Sequence, residues 1–292
     1  MIAIAGPNLP LDLLAATGRD AGPLPFDPER ETPRARQWLE SKFAPWAPPL
    51  LEAWAEGAYD SIDQVLFSRA DDTSQRLYYY ICDLQRRGAI GGPEPLICDI
   101  AKIPRPTSEA RTIAKLRELA ERLEVADDAL EEAILAGNQR RATPANIPEG
   151  KVCLLAGTAP PDRRLHDAIA AAGFVPFGLT LAENWADLGP AVEEGTGDPL
   201  AALGRQLHLR EGGSRSFADP AALLGRAMEC AGSAAVVLWR IEEDEAQTWH
   251  LPAERRLLER SGLPNLVLTR RDWLARDGAA DEITAFLQEI DR

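Results

Sequence analysis

The sequence predicts an α/β protein of two Rossmann-like domains with mostly parallel sheets joined by a helical connector. Three observations predict it. Short apolar runs at residues 65–67, 96–98, 152–156 and 234–238 are bounded by polar residues, as strands buried on both faces of a parallel sheet are. Helical patterns alternate with these runs, which is the texture of βαβ units. The alternation restarts at Val152 after a proline-bearing polar stretch, in a chain whose 292 residues suffice for two cores. The expected division is an N-terminal α/β domain over residues 1–106, a helical connector over 107–150 and a C-terminal α/β domain over 151–292.

Residues 60–105 contain a complete strand, acidic turn, helix and second strand, and the other elements are placed around them. Ser68, Arg69, Asp71, Asp72 and Thr73 supply the turn and N-cap; Leu77, Ile81 and Leu84 then share one helix face, and Gly88 ends the helix. Residues 96–98 return parallel to 65–67 by a right-handed crossover. Upstream, the pattern predicts a strand at 2–5, a short helix over 9–17 ended by Gly18, a strand at 24–26, and helices over 34–43 and 48–56. Trp38, Trp46 and Trp54 are expected as packing anchors.

Downstream, Thr107 or Ser108 is placed to cap a long helix with Ile113, Leu116, Leu119 and Leu123 on one side. A second helix starts near Asp128, which with Glu131 makes an Asp-led capping box, and residues 138–150, with Pro144 and Pro148, read as a polar hinge. In the second half, helices are expected over 163–172, 220–230, 253–260 and 282–290, and further strands at 174–177 and 266–268. Residues 183–199 are too acidic and glycine-bearing for a core element, residues 204–216 read as a polar, arginine-bearing loop over a cleft, and 239–250 as a polar strand exit.

Composition narrows the function classes. With 32 basic and 46 acidic residues the net charge is -14, which disfavours a nucleic-acid backbone or an anionic membrane surface as the main partner. No apolar run approaches the roughly 18–20 residues of a membrane helix, and the start lacks the basic region of a secretory signal, so a cytoplasmic location is expected. Cys82, Cys98, Cys153 and Cys230 show no CxxC spacing and read as buried reduced thiols, and His166, His208 and His250 have no metal-like spacing. There is no GxGxxG, no GK[ST] and no GxSxG.

Three strand exits concentrate the polar candidates: residues 68–73, 157–162 and 239–244. Each follows a buried strand and precedes a helix, so its backbone N–H groups are placed to hold an anionic or carbonyl oxygen; ordinary helix capping is the competing reading. Asp71, Asp72 and Glu242 are the candidate catalytic carboxylates.

Several segments together resemble a known family: LPLDLLAATG at the start, EGAYDSIDQVLFSRADDTSQRLYYYICDLQRRG, LICDIAKIPR before a long helix and the NQRR end, VCLLAGTAPPDRRLHDAIAAAGF, and ERSGLPNLVLTRRDW. In this order and spacing, along nearly the whole chain, they resemble the 2-hydroxyacyl-CoA dehydratase and benzoyl-CoA reductase subunit family. The resemblance implies a two-domain α/β subunit with an inter-domain acyl-CoA cleft, paired with a related subunit or a second copy. It also implies a four-iron four-sulfur cluster that receives an electron from an ATP-driven activator. Family members carry Cys before the Asp that matches Asp71, where this chain has Ala70. They carry another at the late strand exit, where it has Arg240-Ile241-Glu242-Glu243, and an early one where it has KFAPWAPP. Neither Ala nor Ile supplies the thiolate that holds such iron, so no cofactor is expected in this chain. The resemblance then assigns acyl-CoA binding to Ser68, Arg69, Arg76, Arg105, Gly157, Thr158 and Arg240, with the 205–215 arginines also on CoA phosphates and N–H groups near Thr158 on the thioester oxygen. A non-catalytic pairing protein and a metal-free enzyme using Asp71, Asp72 or Glu242 are the alternatives.

Overall fold

The computed structural model describes residues 1–143, 149–212 and 217–290. The chain divides into two compact units, Met1–Pro144 with Trp185–Phe217 and Ala145–Asn184 with Ala218–Arg292. Each is built on a four-stranded sheet in which every strand pair is parallel. Helices 107–142 are part of the first unit, and residues 185–217 return to it.

In the first unit the elements run β1 (Ile2–Ala5), α1 (Leu11–Ala16), β2 (Asp20–Pro23), α2 (Ala35–Trp38), α3 (Ala47–Ala55), β3 (Gln64–Ser68), α4 (Asp72–Arg86), β4 (Glu94–Cys98), α5 (Pro106–Leu123) and α6 (Asp127–Ala142). The sheet order is β2-β1-β3-β4. Ile2, Ile4, Val65, Leu66 and Phe67 are fully buried, which is why these short runs form central strands despite their length. α4 lays Leu77, Ile81 and Leu84 on the core, Asp71 caps it by accepting from the Ser74 N–H at 2.8 Å, and Gly88 follows at φ +69°. Trp46 and Trp54 are buried anchors; Trp54 donates its indole N–H to Gly91 O at 2.8 Å, and Trp38 is half-buried.

The second unit holds β5 (Val152–Gly157), α7 (Arg164–Ala171), β6 (Val175–Phe177) and α8 (Leu181–Trp185, whose last residue belongs to the first unit). After α9 (Pro199–Leu209) of the first unit come α10 (Pro220–Ala231), β7 (Ala235–Ile241), a 3-10 turn (Glu245–His250), α11 (Leu251–Ser261), β8 (Asn265–Arg271) and α12 (Ala279–Ile290). The sheet order, β6-β5-β7-β8, repeats that of the first sheet. Leu154, Val236 and Leu238 pack with Leu224, Met228 and Leu258 from α10 and α11, while α7 and α12 pack together and bury Leu165, Ile169, Ile283 and Leu287.

Several expectations are corrected. The early strand is residues 20–23 rather than 24–26, because it is an edge strand held by β1 alone and needs no apolar run. The helix expected over 34–43 is the single turn α2. α5 starts at Pro106 with Arg105 at its N-cap and no side-chain cap, so neither Thr107 nor Ser108 closes it. α6 starts at Asp127 without a side-chain cap, and Glu131 accepts instead from the Gly195 N–H at 2.7 Å. The 138–150 stretch begins inside α6, and Pro144 and Pro148 lie outside the described residues. Residues 183–199 do contribute to the core: Trp185 and Val192 are buried, and Trp185 packs edge-on against Trp46 with centroids 4.9 Å apart.

The largest correction concerns 204–216. Residues up to 209 belong to α9, which is capped by Asp198 and buried through Leu200, Leu203 and Leu207, and Arg215 lies outside the described residues. α9 packs on α5 so closely that a Cβ at Gly204 would sit 2.6 Å from Ile113 Cγ1. Trp239 and Arg240, expected in a polar exit, are buried in β7. Cys98 and Cys153 are buried free thiols, Cys82 is half-buried, and Cys230 is exposed on α10, contrary to the uniform burial expected.

Candidate functional site

In each sheet the strand order reverses beside the first strand, between β1 and β3 and between β5 and β7, and open α/β sheets take ligands beyond the carboxyl ends of strands at such points. The β3 exit is closed by its own hydrogen bonds. The N–H of Ser68 donates to Ser74 Oγ at 2.8 Å, that of Arg69 to Cys98 O at 3.1 Å and that of Ala70 to Ser68 Oγ at 3.1 Å. Ser74 in turn donates to Ala5 O on β1, and Gly6 at φ +127° runs so close that a Cβ would lie 2.6 Å from Ser74 Oγ. Ser68 is fully buried, Asp71 is the cap of α4, and Asp72 is exposed in its first turn, 3.9 Å from Arg76. Arg76 bonds Glu40 at 3.0 Å and lies over the Phe43 ring.

Beside this closed turn the β3 and β4 exits collect cations. Asp99, next after β4, is bridged by Arg69 at 2.5 Å and by Arg111 of α5 at 2.7 Å. Burial pushes the Asp99 carboxyl up, but the hydrogen bonds and charges of Arg111 and Arg69 outweigh it and hold the group below the ordinary carboxylate range. Lys102 donates to Leu207 O at 2.8 Å and Arg210 O at 2.7 Å; burial and then the Arg210 charge lower its ammonium to about 8. Arg105 is exposed at the N-cap of α5 and forms no ion pair with any described residue. The β3 and β4 exits and the start of α5 thus carry Arg69 and Arg111, both paired with Asp99, and Lys102 and Arg105, which form no ion pair with a described residue, on a chain of net charge -14.

The corresponding end of the second sheet is acidic and internally bonded. Gly157 has φ +107°, and the Thr158 N–H donates to Trp239 O at 2.8 Å. This corrects the expectation that N–H groups near Thr158 are available to a thioester oxygen. Thr158 Oγ donates to Asp244 Oδ2 at 2.8 Å. Burial raises the Asp244 carboxyl, against the lowering effects of Thr158 and Arg240. Arg240 is buried and donates to the buried Glu254 of α11 at 2.5 Å, with Asp244 at 3.8 Å, so it is not presented to a phosphate. Glu242 is exposed, its N–H donating to Arg271 O at 3.1 Å.

The structure therefore brings Arg69 and Arg105 to one strand end and Thr158 and Arg240 to another, and separates Asp71, Asp72 and Glu242 from both constellations by role: a cap, a solvated first-turn residue and a solvated strand exit. Sequence reasoning places a ligand region at 99–105, directly after a strand, but singles out only Arg105 there and not Asp99 or Lys102, and it misses Arg111. Within the 239–244 exit it singles out Arg240 and Glu242 rather than Asp244, and it misses Glu254, because the apolar run that marks β7 stops at Leu238 while the strand continues to Ile241.

For an iron–sulfur cluster the donor set does not fit. Ala70, where the resemblance requires Cys, is fully buried, and Ile241 is buried at the late exit. Cys98 and Cys153 are held as thiols near 12, Cys153 by burial and Cys98 by burial and the adjacent Asp99 charge. Among the described residues no group of three or more His, Cys, Asp or Glu side chains is placed to hold a metal ion. None of the described helices is long and apolar enough to cross a membrane. Comparison of the chain with protein-family models and with curated proteins gives no match.

Proposed function

We propose that the chain is a 2-hydroxyacyl-CoA dehydratase-like, benzoyl-CoA reductase-like subunit that binds acyl-CoA at the cationic end of its first sheet, lacks a cluster of its own and works in the cytoplasm beside a related subunit or a second copy. The observation that carries this reading is the pairing of Arg69 and Arg111 on Asp99, with Lys102 and Arg105, neither of them ion-paired with a described residue, on the segment that follows it in an otherwise acidic protein. CoA carries several phosphates, and guanidinium groups bind phosphate with paired, charge-assisted hydrogen bonds. Arg105 adds an exposed guanidinium at the start of an 18-residue helix, where the helix dipole favours an anion. The family resemblance supplies the acyl-thioester class.

Ligand binding to the folded state raises apparent stability, so CoA and a short acyl-CoA should raise Tm while equimolar inorganic phosphate does not. Equal shifts with phosphate, or none with CoA, would leave the non-catalytic pairing protein as the better reading. A second reading, metal-free acid–base chemistry, has one observation in its favour: the Asp244 carboxyl at the second strand end is raised by burial and accepts a hydrogen bond from Thr158.

A further inference from the structure

The segment that follows α9 runs along the carboxyl end of the first sheet and is tied there mainly by side chains. Lys102 from the β4–α5 loop donates to the carbonyls of Leu207 and Arg210. Asn8, at the exit of β1 with φ +57° and almost fully buried, donates its side-chain amide to Gly212 O. His208 Nδ1 lies 2.9 Å from Ala101 O, and Arg210 donates to Asp187 at 2.8 Å. Leu207 and Arg210 are buried, whereas Glu211 and Gly212 are exposed. The Arg210 and Gly212 carbonyls are therefore held across the β4 and β1 exits by the Lys102 ammonium and the Asn8 amide, while the Arg210 side chain stays buried against Asp187.

The electrostatics of Lys102 suit an anionic partner. Its ammonium is half-buried and, among the described residues, forms no ion pair; two neutral carbonyls are its partners, with the Arg210 guanidinium nearby. Two carbonyls satisfy the donors of this ammonium but not its charge, whereas a phosphate oxygen supplies both a hydrogen-bond acceptor and a counter-charge. The same loop carries Arg105, and Arg69 and Arg111 converge on Asp99 three residues before Lys102.

We propose that Lys102 is a further phosphate-binding residue of this strand end, and that residues 210–212 form a strap which an anionic ligand displaces to reach it. This rests on the acyl-CoA reading for the identity of the ligand and not for the existence of the strap. A strap that must open lowers apparent affinity by the fraction of molecules in which it is open. Loosening it without touching Lys102 should therefore tighten binding.

Two substitutions separate the parts. Asn8→Gly removes the amide that holds Gly212 while glycine accepts the positive φ, and Lys102→Met removes the phosphate donor. With inorganic pyrophosphate and CoA as probes in calorimetric titrations of the full chain, Asn8→Gly should bind roughly fivefold more tightly than wild type, the worth of about one hydrogen bond. Lys102→Met should bind at least tenfold more weakly, and both probes should accelerate amide exchange in peptides covering residues 206–212 of the wild type. Unchanged or weaker binding by Asn8→Gly, or exchange that slows when a probe binds, overturns the strap. If pyrophosphate behaves as described and CoA does not bind, the strap stands and the acyl-CoA reading falls; if CoA raises Tm but Asn8→Gly and exchange are unaffected, the reverse holds. Silence of both probes defeats both.

Discussion

At Gly157 the backbone turns with φ +107° against β7, and a Cβ would stand 2.1 Å from the Trp239 carbonyl oxygen. Gly157→Ala should destabilise the protein by about 3 kcal/mol in urea denaturation, since neither the backbone angle nor the carbonyl can yield cheaply. The buried Cys153 gives a pH prediction. Burial pushes its thiol up to about 12 from the ordinary 9.0, so between these limits the unfolded chain releases a proton that the folded chain keeps. Its contribution is intact below the ordinary thiol range and is lost as pH rises toward the folded-state value. Between about pH 8 and pH 10 the wild type should lose about 1 kcal/mol more than Cys153→Ala, and equal losses would show that the thiol is not held neutral. Arg105→Ala, changing an exposed side chain, should leave Tm alone and abolish most of the CoA-induced shift.

Among the elements, α6 is tied to α1 by a buried pair: Arg141 donates to Asp12 at 2.6 Å, and Gly137 is required because its Cβ would fall 2.0 Å from Asp12 Oδ1. Arg141→Met leaves Asp12 buried without its counter-charge and should cost roughly 3–5 kcal/mol, measurable by chemical denaturation. Asp198→Ala, which uncaps α9, should cost about 1 kcal/mol. The sequence carries the signals for α9, Asp-Pro at its start and Leu200, Leu203 and Leu207 at helical spacing, but Gly204 and the polar Arg205, Gln206 and His208 between them mask the pattern. Central strands are legible because burial on both faces leaves an uninterrupted apolar run; the edge strand β2, DAGP, has none. The ion pairs of the candidate site join residues 12 and 30 positions apart, such as Arg111 and Arg69 with Asp99, and no local periodicity reports such pairings.

For the whole molecule, two sheets with the same strand order but differently charged ends make the first unit the one suited to an anion. At the second, one guanidinium, Arg240, lies between two carboxylates, Asp244 and Glu254, and Thr158 bonds Asp244. The net charge of -14 repels phosphates at long range, so binding by the arginine cluster should weaken less steeply with added salt than it would on a basic protein, because part of that repulsion is screened away. Calorimetric titration of the wild-type chain with CoA tests the central claim most directly: the account predicts saturable binding that Arg105→Ala weakens at least tenfold, and a wild type that binds CoA no better than inorganic phosphate would contradict it.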